Sequence, residues 1–315
     1  MAKTKILICS SEVGAGKRGA SLGPDAIRVS SVNHFFNIFD RFPSDEIKTP
    51  VINRFSPEYK SAKYIKRIRT THQKIARKME EAQRDGYTTL IFSGDHSNAA
   101  GFIAGFREAF PNKKLGVVWI DAHADIHSPY TSPSGNMHGM PMAIILGLDN
   151  KENQKKKLKP EVIEEWEKIK RTGKSQICPK IKPEDVIYID IRDYEAEEWD
   201  AIQRLKIKHY TPADLKKSGA KKIAKEVEKY FKDYFGVYIS FDVDSLDPSI
   251  SRGTGTPVPN GLTAEQAEDL LTILTEMRNF KALEITEVNP LLDTENKMAT
   301  AVVKILRESL TVDED

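Results

Sequence analysis

The chain predicts an α/β fold of three layers, a doubly wound and mostly parallel sheet with helices on both faces. Three observations carry this prediction. Short continuous apolar runs recur from end to end without the alternation of a half-solvated sheet, as strands buried on both faces do. Segments with helical spacing separate them. No low-complexity linker interrupts the series, so residues 1–315 read as a single domain.

The strand-like runs are Ile6–Cys9, Thr88–Phe92, Gly116–Ile120, Val186–Ile191, Val237–Phe241 and Leu283–Val288, with a short run at Ile207–Tyr210. Helical patterns cover Tyr64–Asp85, Asn98–Ala109, Ala220–Tyr234 and Thr263–Arg278. Another helix starts at Pro24, with Asp25 in its first turn, where the macrodipole favours an acid. Thr263 is a suitable N-cap, and Gln266 stands in the capping-box position. Residues 150–174, dense in Lys and Glu, read as a charged insertion forming a solvated helix without chemistry of its own.

Composition narrows the function. The 48 basic and 46 acidic residues leave a net charge of +2, and no basic stripe interleaved with aromatics marks a nucleic-acid partner. Cys9 and Cys178 are the two cysteines, which offers no disulfide framework and no thiolate metal site. No apolar stretch approaches the ~20 residues that span a bilayer. A cytoplasmic protein with no membrane partner is expected. The loop Gly14-Ala-Gly16-Lys17-Arg18 fails the phosphate-loop pattern, because Ser11 stands where a glycine is required and Arg18 where Ser or Thr is required. It reads as a tight turn after the first strand, with Lys17 and Arg18 near a pocket mouth.

Chemistry concentrates at strand ends, where open α/β sheets bind their ligands. Asp121, His123 and Asp125 follow one apolar run at alternate positions, and Asp242 and Asp244 follow another at the same spacing. His96 sits in Ser93-Gly-Asp-His-Ser97 after a third, and Glu287 lies near the end of the last. A single aspartate at a strand end is ordinarily a turn former or a cap. Six ligand-type residues at matched strand ends imply a cation, since burying several carboxylates together is otherwise costly. Four aspartates and two imidazoles without thiolate suit a hard divalent ion such as Mn²⁺. Two such ions offset four Asp charges and, ~3.5–4 Å apart, ionise a bridging water near neutral pH. His34, His72 and His209 are read as ordinary polar residues, and Asp247, before Pro248, as a turn.

These residues resemble a known family. Ser-Gly-Asp-His-Ser (93–97), Asp-Ala-His-Ala-Asp (121–125), Ser-Gly-Asn-Met-His-Gly-Met-Pro (134–141), Ser-Phe-Asp-Val-Asp-Ser-Leu-Asp-Pro (240–248) and Glu-Val-Asn-Pro (287–290) resemble the ureohydrolases, most closely the arginases. The resemblance runs from about Lys5 to Ile305, with the motifs in the family's order. It implies an arginase-like fold and two Mn²⁺ per subunit held by His96, Asp121, His123, Asp125, Asp242 and Asp244, with Asp121 and Asp242 among the bridging ligands. It implies attack on the guanidinium carbon by a metal-bridging hydroxide that Asp125 steadies by a hydrogen bond. Glu287, with Thr256 nearby, would pair with the guanidinium group, and His138 would deliver a proton to the departing amine. The resemblance also implies a homo-oligomer, trimer or hexamer.

For the amino-acid end of the substrate, Ser134 and Asn136 match the arginase pattern and Ser132 replaces a threonine. His127 stands in place of an asparagine that contacts the α-carboxylate, and Glu195 in place of an aspartate that reads the α-amino group. Ser93 replaces a glycine. The leading reading is hydrolysis of L-arginine to L-ornithine and urea, a reaction on a small guanidino substrate. The departures at His127 and Glu195 keep open an agmatinase or another guanidino-acid ureohydrolase. Formiminoglutamase fits the His138 motif poorly. A deacetylase-like enzyme needs fewer ligands than the six present, and a non-catalytic metal-binding protein needs neither His138 nor Glu287.

Overall fold

The structure, a computed structural model, describes residues 3–49 and 57–310. Among the described residues eight strands form one sheet: β1 (Thr4–Cys9), β2 (Ser44–Glu46), β3 (Thr88–Ser93), β4 (Leu115–Ile120), β5 (Val186–Ile189), β6 (Lys208–Tyr210), β7 (Gly236–Asp242) and β8 (Phe280–Thr286). Their order is β2-β1-β3-β8-β7-β4-β5-β6. Every pairing is parallel, so the sheet is wholly rather than mostly parallel. Parallel neighbours need crossover connections, and these place helices over both faces.

The helices are α1 (Gly23–Asn33), α2 (Ile38–Arg41), α3 (Ile65–Arg84), α4 (Ala99–Ala109), α5 (Pro141–Leu146), α6 (Pro160–Lys170), α7 (Ala196–Leu205), α8 (Pro212–Ser218), α9 (Ala220–Phe231), α10 (Ala264–Thr275) and α11 (Lys297–Ser309). Alternate strand residues face opposite sides, and two cores result. Leu7, Ile91, Val117, Trp119 and Tyr238 pack with residues of α3 to α7 on one face. Ile6, Ile8, Val118, Ile120 and Ile239 pack with residues of α1, α2 and α8 to α11 on the other. The three layers follow directly from this alternation. The expected cap of α10 is present: Thr263 Oγ1 accepts from Gln266 N, and Gln266 Oε1 accepts from Thr263 N.

Two strands stop earlier than their apolar runs. β5 ends at Ile189 and β8 at Thr286, and the next residues, Asp190 and Glu287, adopt φ of 77° and 64°. Left-handed backbone cannot continue a ladder, so the chain turns at both points. Residues 150–174 depart from the expected solvated helix. One face of α6 is exposed, but Val162, Trp166 and Ile169 on the other are buried in the core with α3 to α5. Trp166 Nε1 donates to Asp149 Oδ1 at 3.0 Å, and Arg69 of α3 holds Glu165 at 2.9 Å. The dense Lys and Glu hide an amphipathic stripe. Replacing Trp166 with alanine should therefore cost about 3–5 kcal/mol in denaturant unfolding, as for other buried aromatics. A loss below ~1 kcal/mol would place this helix outside the core.

Candidate metal centre

In a wholly parallel sheet all carboxyl ends lie along one edge. The four neighbouring central strands β3, β8, β7 and β4 deliver His96, Glu287, Asp242 and Asp121 to one place. His96 Nδ1 stands 3.0 Å from Asp121 Oδ2, 3.1 Å from Asp125 Oδ2 and 3.1 Å from Asp242 Oδ2. His123 Nδ1 lies 3.0 Å from Asp244 Oδ2 and 3.5 Å from Asp121 Oδ1. Two donor groups result, His96/Asp121/Asp242 and Asp121/His123/Asp244, which share Asp121. All six sequence-predicted ligands are brought together.

The fit to cations rests on the donors themselves. His96 Nδ1 is buried and has no hydrogen-bond partner, although three carboxylate oxygens crowd it. That arrangement suits donors converging on an ion better than donors bonding to each other. Oxygen and imidazole nitrogen are the ligands that hard or borderline divalent ions take.

Other residues orient the ligands, as outer partners do at metal sites. His96 Nε2 meets Ser240 Oγ at 2.8 Å, and Ser240 Oγ donates to Glu284 Oε2, which also accepts from Tyr238. The His96 ring stacks on Trp119 at 4.0 Å between centroids, and Trp119 Nε1 donates to Asp121 Oδ2 at 2.9 Å. Backbone amides complete the frame, His123 N to Asp121 Oδ1 and Asp244 N to Asp242 Oδ1. Sequence reasoning missed these supports. Their signal was present: Trp119 and Ser240 precede Asp121 and Asp242 by two positions on the same strand face.

Gly94 makes the His96 turn possible. A Cβ there would lie 2.1 Å from Ser11 O, so only glycine lets β3 end this close to β1. Asp95 then accepts from Gly14 N at 2.8 Å, and Gly14 O accepts from His138 N at 3.2 Å. The glycine turn after β1 thus braces the site. Arg18 bonds Glu12 O and covers the Tyr64 ring, and neither it nor Lys17 lines the metal cleft. Asp125 and Glu287 hold left-handed φ of 51° and 64°, a cost of about 1–3 kcal/mol each that the surrounding contacts must offset.

Electrostatics follow from this crowding. Burial disfavours charge on His96, yet Asp121, Asp125 and Asp242 outweigh it and hold the imidazole well above its usual range. His123 is raised in the same way by Asp244, Asp121 and Asp193. Burial and the neighbouring aspartates push Asp242 well up, and burial with Asp121 raises Asp125 to about 6. Without cations, protons supply the missing positive charge.

A cleft of about 160 Å³ opens on this centre. It is lined by His96, His123, Asp125, Asp242 and Asp244 of the expected ligand set and by the expected His127, Ser132, Ser134, Asn136, His138, Glu195 and Thr256. Asp121 is buried with its carboxylate bonded to Trp119 and His123 N. Glu287 is buried behind His138, and its Oε1 accepts from His96 N at 2.9 Å and lies 3.1 Å from His138 Nδ1. Thr256 Oγ1 donates to Asp244 Oδ2 at 3.0 Å. His127 Nε2 lies 3.0 Å from Glu195 Oε2 and 3.6 Å from Glu198, a buried cleft residue that sequence reasoning did not single out. His72 packs against the turn carrying His96 through Ser97 O at 2.8 Å, and Asp247 accepts from Ser249 N of its own turn and from Asn260 N and Gly261 N of a later loop.

A profile described as the arginase family matches residues 4–311. The chain belongs to the arginase family. An arginase of Staphylococcus aureus is 33% identical over 315 residues, covering 97% of each chain. The solved arginase of Bacillus caldovelox superposes with a TM-score of 0.86 at 32% identity, covering 100% of this chain and 99% of that one. The arginase of Entamoeba histolytica, solved with L-ornithine, gives 0.83 at 28% identity with 98% of both chains covered.

As a member of this family the protein is a ureohydrolase, and its ligand cluster is where it would hold metal. Because His96 and His123 are raised and must lose protons to ligate, cation loading should release about one or more protons per ion and weaken as pH falls. Calorimetry of Mn²⁺ binding in buffers of different ionisation enthalpy measures this. Zero proton release near neutral pH would contradict the charge state described.

Proposed function

We propose that this protein hydrolyses L-arginine to L-ornithine and urea with two Mn²⁺ ions. The observation that carries the reading is the pair of His/Asp groups sharing Asp121, placed at the floor of a cleft beside the His138–Glu287 pair. His96, Asp121, Asp125 and Asp242 would hold one ion, and Asp121, His123, Asp242 and Asp244 the other. When bound, such a pair of cations lowers the pKa of water and polarises the substrate.

The protein's own residues account for the remaining steps. Asp125 accepts a hydrogen bond from the attacking water and fixes its lone pair toward the guanidinium carbon. The Glu287 oxygen beside Gly255 pairs with the guanidinium, and the other stays on His138. Burial opposes charge on His138, but the bond to Glu287 outweighs it and raises the imidazole to about 9. It is then protonated at neutral pH. As the bond from the guanidinium carbon to Nε of arginine breaks, His138 donates its proton to that nitrogen, which leaves as the side-chain amine of ornithine, and a proton from the next water restores it.

The runner-up is hydrolysis of agmatine or a guanidino acid, favoured by His127 and Glu195 in place of the arginase asparagine and aspartate. The proposal extends to a cytoplasmic homo-oligomer, trimer or hexamer, as the family resemblance implies. Among the described residues no helix is long and apolar enough to cross a membrane. Urea release after Mn²⁺ loading, compared among L-arginine, agmatine and guanidinobutyrate, should favour L-arginine. Turnover of agmatine with none of arginine would promote the runner-up. His138→Asn should keep its metal content and lose ~10²-fold in kcat, as for a lost general acid. Asp125→Asn should stay folded with greatly reduced urea release, and near-normal turnover would remove Asp125 from the chemistry.

A further inference from the structure

Beside the catalytic cleft runs a second groove of about 940 Å³, and Pro133 and Ser134 line both. Lys60, Lys63, Lys156, Lys157 and Lys159 line the groove. Glu58 is its single acidic residue among the described residues, and it pairs with Lys66 at 3.7 Å instead. None of the five lysines forms an ion pair among the described residues. Burial and the charge of Lys63 lower Lys156, so this wall holds more positive charge than it neutralises.

Two of these lysines grip the loop that carries Ser132, Ser134 and Asn136. Lys156 Nζ donates to the carbonyls of Ser132 and Pro133. Lys63 Nζ donates to Asn136 Oδ1 at 2.8 Å, and its backbone amide donates to Gly135 O at 2.9 Å. Gly135 has φ of 72°, and a Cβ there would lie 1.9 Å from Lys60 O, so the loop is pressed flat against this segment. An ammonium only donates, and it therefore fixes which end of the Asn136 amide faces it. The Nδ2 donor is left for another acceptor. Glu195 and Glu198 line the same cleft. The mouth thus offers acidic groups of its own and a loop backed by lysines.

We infer that Lys63 and Lys156 make this mouth selective for a guanidino substrate bearing a carboxylate, with Lys63 acting as a positioning residue through Asn136. The inference rests on the ureohydrolase reading and deepens it. The zwitterionic head of an α-amino acid suits both sets of groups, its ammonium the glutamates and its carboxylate the lysine-backed loop. Agmatine has no carboxylate and brings only positive charge to that loop. Like-charge juxtaposition disfavours such a ligand, while a charge-assisted hydrogen bond rewards the carboxylate.

The test uses the full-length, Mn²⁺-loaded protein and two probes of matched amine chemistry, L-ornithine with a carboxylate and putrescine without. Binding of each is measured by calorimetry for wild type, Lys63→Met and Lys156→Met. Lys63→Met should weaken L-ornithine ~10-fold, the size of a lost hydrogen bond to a charged group, and leave putrescine unchanged or tighter. KM for L-arginine should rise similarly while kcat holds. Lys159→Met, at a groove lysine without a bond to the loop, should change either ligand less than ~2-fold. Equal losses for both ligands, or a loss confined to kcat, would overturn the inference alone and mark these lysines as structural. Wild-type protein that binds neither probe and releases no urea would overturn the ureohydrolase reading and the inference with it.

Discussion

Four aspartates and two histidines meet at the middle of one sheet edge, and the ion partners of those aspartates among the described residues are histidines. Among the described residues no lysine or arginine head group pairs with these carboxylates. Burying that much negative charge without compensation costs several kcal/mol per ion, far beyond what packing nearby can recover. Cations or protons must supply the balance, and this constraint shapes the rest of the architecture. The wholly parallel sheet brings four strand ends side by side. The left-handed residues Asp125 and Glu287 aim side chains that a relaxed backbone would send elsewhere.

The loops around the centre are held by one arginine. Arg192 pairs with Asp190 at 2.5 Å and donates to Asp244 O, Val258 O and Pro259 O. It ties the end of β5 to the segment after β7 and to the loop that carries Thr256. Each carbonyl gains a charge-assisted bond, so these loops resist the motion that exposed connections usually show. A candidate ligand set spread over three strands stays in register because of such ties. The same logic holds at the outer lip, where Lys63 and Lys156 brace residues 132–136.

Much of this was legible in the residues, and the exceptions have physical causes. β3, β4 and β7 are buried on both faces, so their sequences are mostly apolar runs that lead into the candidate ligands. β2 is a polar edge strand, Ser44-Asp-Glu46, paired through β1 alone and invisible to any apolar pattern. α6 was misread because its core stripe of Val162, Trp166 and Ile169 is diluted by exposed charges. In the site, the candidate ligands were readable because six ligand-type residues cluster at matched strand ends, where a single aspartate would be ordinary. Lys63, Lys156 and Glu198 were not, because each meets its partner at the site only where the fold brings together residues 24 to 73 positions apart. Glu287 was expected against the substrate, and the structure sets one of its oxygens on His138.

The account depends on a pair of cations straddling Asp121. Crystals of the Mn²⁺-loaded protein, with diffraction recorded at the manganese absorption edge, test this most directly. Two anomalous peaks ~3.5–4 Å apart should flank the Asp121 carboxylate, one beside His96 and one beside His123. A single peak, or ions bound away from Asp121, would contradict it.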